Sequence, residues 1–115
     1  MRTTARLVLI AALAFFAAAV LPSAAQALPG TYVTTYADAP GRPRPCLNDT
    51  PTCRPVGIVK RGSHLIYCQT MGATVVLGGY VSNWWVMTDL GTGRVFIPAL
   101  YVDNWDLVSM SLPYC

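Results

Sequence analysis

Residues 7–21 form one unbroken apolar run, and after it the chain changes character into short apolar stretches cut by glycine and proline. Thr31 to Tyr36 is β-branched or aromatic throughout and predicts a strand. Val56 to Val59, His64 to Gln69, Asn83 to Thr88, Val95 to Ile97 and Val102 to Leu107 predict further strands. Lys60-Arg61-Gly62-Ser63 reads as a turn, Leu90 to Arg94 as a hairpin loop, and Met71 to Val81, with its three glycines, as a short extra hairpin. Ala39 to Pro45 holds three prolines, which lack ladder donors, so helix and central strand are both excluded there. No segment beyond the first apolar run shows helical periodicity. The pattern predicts an all-β fold, a small barrel or sandwich of about five short strands.

Arg2 and Arg6 precede the apolar run, which breaks at Pro22 and reaches the small-residue site Ala25-Gln26-Ala27. Charge, length and cleavage site read as a secretory signal peptide over residues 1–27, leaving one domain over residues 28–115. The run is shorter than the roughly 20 residues of a membrane-spanning helix, and no later stretch supplies a span. Without Arg2 and Arg6 the formal charge of the chain falls from +3 to +1, which argues against a nucleic-acid partner. The expected location is outside the cell, secreted or associated with the cell wall.

All four cysteines, Cys46, Cys53, Cys68 and Cys115, lie beyond the leader, and an even count in a short exported chain reads as a disulfide framework. Of three possible pairings, Cys46–Cys53 and Cys68–Cys115 is favoured. The first two share a Pro-rich loop, and Cys68 sits in a strand that the end of the chain can reach. Zinc is disfavoured, because Cys-x6-Cys-x14-Cys is not a usual ligand spacing.

Trp84-Trp85, the Gly91-x-Gly93 hairpin and Phe96-Ile97-Pro98-x-x-Tyr101-Val102, at these spacings, resemble the second half of a Src homology 3 (SH3) domain. Thr31 to Tyr36 falls at that family's first strand, Ala39 to Pro55 at its long first loop, and Val59 to Leu65 at its diverging turn. Tyr67-Cys68-Gln69-Thr70-x-Gly72, a Gly-rich insertion and Ser82-Asn83-x-Trp85 are similar to exported bacterial, actinobacterial-type members. The resemblance implies an SH3-like β-barrel that binds cell-wall components or peptides. It also implies a ligand groove of Tyr36, Trp84, Pro98 and Tyr101, whose rigid faces suit an extended peptide or a sugar ring. The chain departs from the family at Asp38, which replaces a tyrosine, and in a first loop that is basic, with Arg42 and Arg44. That loop favours a carboxylate-bearing ligand.

Adjacent strand residues face opposite sides, so one of Trp84 and Trp85 suits the groove and the other the core; the alternative is that the 71–81 insertion covers Trp84. Tyr32 and Trp105 either pack in the core or extend an aromatic surface. The usual catalytic sets do not assemble: glutamate is absent, His64 follows a solvated turn, and Asp103 and Asp106 fall on opposite faces of the expected last strand. Ser63 beside His64 is no triad fragment, and Gly91-x-Gly93 precedes no helix. The expected function is non-catalytic recognition of peptidoglycan or its stem peptides, with no cofactor and no metal. The alternative is a protein–protein interaction module or inhibitor that uses the 71–81 insertion and the basic loop.

Overall fold

The structure, a computed structural model, describes residues 30–115. The signal-peptide reading of residues 1–27 lies outside them. Six strands form: β1 Thr31–Thr35, β2 Ala39–Gly41, β3 Gly57–Val59, β4 Gly62–Leu77, β5 Tyr80–Leu90 and β6 Gly93–Pro98. A 3-10 turn, Ala99–Tyr101, and a helix α1, Trp105–Ser111, follow. The main sheet is antiparallel in the order β1-β4-β5-β6, and β2 and β3 make a separate ribbon. Its flanks are extended by single bridges, Thr35 to Val102 beside β1 and Arg42 to Phe96 beside β6. The fold is mostly β, as expected, but no closed barrel forms among the described residues.

Alternation along β5 and β6 explains the core. Val86, Val95 and Ile97 turn inward and meet Val33 of β1 and Ile66 of β4, all buried. Thr88 is buried among them, and its hydroxyl donates to the Leu65 carbonyl at 2.8 Å, so the polar group is satisfied. On the other face of β5, Trp85 is fully buried outside this cluster. Its indole N–H donates to the Ala73 carbonyl at 2.9 Å, and the Ala73 amide donates to the Pro45 carbonyl at 3.0 Å, so the Pro-rich loop closes over the ring. A Cβ at Gly72 would overlap Pro45 and crowd the Trp85 ring, which explains the glycine.

Three elements differ from the sequence expectation. Residues 71–81 are the outer half of one long β4–β5 hairpin, not a hairpin of their own. A register shift between Met71 and Val75 bends it, and Gly78 and Gly79, at φ +57° and +84°, make the two-residue turn. Ala39–Gly41 forms a short strand despite Pro40, which a two-stranded ribbon tolerates on its open side. Val102 to Leu107 is not a strand: beyond the Val102 bridge, Asn104 turns left-handed (φ 56°, ψ 39°) and α1 begins. Trp105, Val108 and Leu112 recur at helical spacing and pack on the core.

Cys46 is bonded to Cys53 and Cys68 to Cys115, which leaves no free cysteine to hold a metal and places the protein in an oxidising, extracellular type of environment. No helix among the described residues is long and apolar enough to cross a membrane.

Candidate functional site

Tyr36 leaves β1 with its ring fixed at both ends. Its hydroxyl donates to the Leu100 carbonyl at 2.7 Å, its amide donates to the Tyr101 carbonyl at 3.2 Å, and the Tyr101 ring lies 6.5 Å away, tilted by 32°. The bent β4–β5 hairpin carries Tyr80 to the same place, and the first residues of α1 bring Trp105 and Leu107. Together with the 3-10 turn they line an open groove of about 650 Å³. Tyr36 and Tyr80 are 48% and 72% exposed, so aromatic surface is available to a ligand.

Trp84 lies elsewhere. It stands opposite Met71 at the point where the hairpin bends, half-buried against the core, and stacks on Tyr114 at 5.9 Å between ring centres. This pair, with Gln69, Thr70, Met71 and Cys115, lines a second hollow of about 470 Å³. Pro98 is buried where β6 enters the 3-10 turn, directly across from Trp85. Of the four residues implied by the resemblance, Tyr36 and Tyr101 come together, Pro98 is covered, and Trp84 faces a separate hollow.

Asp103 and Asp106, expected on opposite faces of a strand, line the Tyr36 groove together, because the turn at Asn104 and the start of α1 replace the extended geometry. No residue of the basic first loop lines either hollow. Three basic side chains of that region engage their own neighbours: Arg42 donates to the Cys53 carbonyl at 3.2 Å, Arg54 pairs with Asp49 at 3.4 Å and Lys60 with Asp38 at 3.6 Å. Asp38 also accepts from the Arg61 amide at 2.8 Å, and that hydrogen bond, then the nearby Lys60 charge, hold its carboxyl below the ordinary range. His64 hydrogen-bonds the Lys60 carbonyl through Nε2.

Tyr80 and the two aspartates are groove residues to which the sequence gives no role in a groove, and Trp105, which the sequence leaves open between core and aromatic surface, both packs on the core and lines the groove. Trp105-x-x-Val108-x-x-x-Leu112 is a helical spacing that could have revealed the turn. Tyr80 directly after Gly78-Gly79 marks a hairpin tip. Among the described residues no cluster of three potential metal ligands exists. No protein-family model, curated protein or solved structure matches the chain.

Proposed function

We propose that this chain is an exported, non-catalytic recognition module of SH3-like type that binds cell-envelope material, peptidoglycan or its peptides, through the groove of Tyr36, Tyr80 and Trp105. The observation that carries this reading is the gathering of three aromatic side chains, from the residue after β1, the hairpin tip and α1, along one open groove. Rigid rings give contact area at a small entropic cost and accept an extended chain or a sugar. The order of parts along the chain supports the SH3-like assignment: first strand, long loop with its ribbon, hairpins, then Pro98 opening a 3-10 turn.

The test is sedimentation of the oxidised secreted protein with purified bacterial sacculi. Binding should fall at least about tenfold for Tyr36→Ala or Tyr80→Ala, the scale set by loss of an aromatic anchor. Trp84→Ala reports on the second hollow and separates the two. Unchanged sedimentation of all three variants would remove both hollows from consideration. A second reading, binding to a protein partner through the hairpin tip, is favoured by the exposure of Val76, Tyr80 and Val81 there, at 68%, 72% and 64%. Val76→Ser with Val81→Ser would abolish partner binding and leave sedimentation with sacculi unchanged.

A further inference from the structure

The aromatic groove has a charge as well as a shape. Of the five aspartates, Asp38, Asp49 and Asp89 are each within 4 Å of a cationic side chain, namely Lys60, Arg54 and Arg94. Asp103 and Asp106 are the two that have no such partner among the described residues, and they are the two that line the groove. Among the described residues, no lysine or arginine lines it. Tyr36, Tyr80 and Trp105 add to the same preference, since the face of an aromatic ring is its negative pole and attracts cations. Leu100 and Leu107 supply apolar wall beside them.

The occupant that satisfies both features is a cation on an apolar stem. A neutral sugar would use the rings and donate hydroxyls to the two carboxylates but leave their charge uncompensated, and a carboxylate-bearing ligand would be repelled. No third His, Cys, Asp or Glu joins them to hold a metal ion among the described residues, and two carboxylates alone fall short of the six to eight oxygens that calcium takes.

We propose that the groove receives the side-chain ammonium of a diamino-acid residue in a cell-wall peptide. The methylene stem lies against Tyr36, Tyr80 and Trp105, and the charge faces Asp103 and Asp106. This inference rests on the envelope-binding reading above and names the group recognised. It reverses the preference for an acidic ligand that the basic first loop suggests from sequence, because that loop does not reach the groove.

The experiment has two arms. In the first, the oxidised protein is sedimented with native sacculi and with sacculi whose free amines have been capped by acetic anhydride. In the second, the three indole N–H resonances, from Trp84, Trp85 and Trp105, are followed by NMR while tri-lysine is added. Capping should abolish most sedimentation. Tri-lysine should shift the Trp105 signal and leave that of buried Trp85 in place. Asp103→Asn combined with Asp106→Asn should weaken tri-lysine binding about tenfold, as should raising the salt to about 0.5 M, since exposed charges are screened. An unmoved Trp85 resonance in the double variant certifies its fold.

Equal sedimentation with native and capped sacculi would overturn the ammonium assignment and leave envelope binding standing. A Trp105 shift that depends on both aspartates, without sedimentation of either preparation, would uphold the ammonium site and overturn the wall as its source. No Trp105 shift with tri-lysine would overturn the site itself.

Discussion

Where β4, β5 and β6 run side by side, three polar residues lock together. The Tyr67 hydroxyl donates to Asp89 at 2.7 Å, Arg94 pairs with Asp89 at 3.7 Å, and the Arg94 guanidinium carbon sits 3.7 Å from the Tyr67 ring centre. The hydrogen bond to Asp89 raises the Tyr67 pKa above its ordinary 10.0, because ionisation would set a phenolate against a carboxylate. A raised folded-state value means that the contribution to stability is complete below pH 10 and is lost as pH rises through the folded pKa. Thermal stability should therefore drop above about pH 10 in the wild type, and Tyr67→Phe should show a shallower drop with a lower starting value. Parallel pH profiles for the two proteins would sink the assignment. Asp38 has the opposite sign: its lowered value makes a contribution that is present above pH 3.8 and is lost on further acidification.

At the next scale, α1 is held by a residue far away in sequence. Gln69, buried in β4, donates its side-chain amide to the Ser109 carbonyl at 2.8 Å and the Leu112 carbonyl at 2.7 Å. Its backbone binds Pro113 and Cys115, at 2.9 Å and 2.8 Å. The carbonyls at the end of a helix have no partner inside it, so this one side chain takes the role of a C-terminal cap. Gln69→Leu should cost about 2 kcal/mol, since buried acceptors are left unpaired, and should speed amide exchange in 105–111 well before the sheet opens. Exchange that accelerates equally in β5 would refute a local role. The same residue explains why the helix escapes a sequence reading while β1, β5 and β6 do not. Those strands announce themselves through β-branched and aromatic runs, whereas a seven-residue helix is too short to hold by propensity and depends on packing. Its clamp is about forty positions upstream, where no local pattern can register it. The groove inherits that blind spot, because Asp103, Trp105 and Asp106 share one hollow only if the chain turns at Asn104. Tyr36 directly follows a strand that the sequence does announce, and it enters the reading as a groove residue through the SH3 resemblance.

For the molecule as a whole, one buried cluster forms the core, Trp85 is buried outside it, and the two cysteine bridges staple different parts of the chain. Cys46–Cys53 joins residues seven positions apart in the loop over Trp85, and Cys68–Cys115 spans 47 positions and ties the segment that follows α1 to β4. Loop-closure entropy alone ranks them, at about 4 kcal/mol for the long closure and about 2.5 kcal/mol for the short one. In a domain of this size each kcal/mol moves the melting temperature by roughly 4–8 °C. The variant Cys68→Ser, Cys115→Ser should therefore melt about 10 °C below the variant Cys46→Ser, Cys53→Ser, itself below the parent. Trp85 provides the counter-argument, because the short ring's loop is what buries it, and exposing a wholly buried tryptophan costs about as much as truncating one, 3–5 kcal/mol. If losing Cys46–Cys53 frees the loop, the order of the two melting temperatures inverts and the Trp85 emission shifts to the red. If the Ala73–Pro45 hydrogen bond and the ribbon hold the loop unaided, the entropic order stands and the emission stays put. One pair of melting curves, read with tryptophan emission, decides whether the small bridge only tightens the unfolded chain or also seals the second face of the sheet.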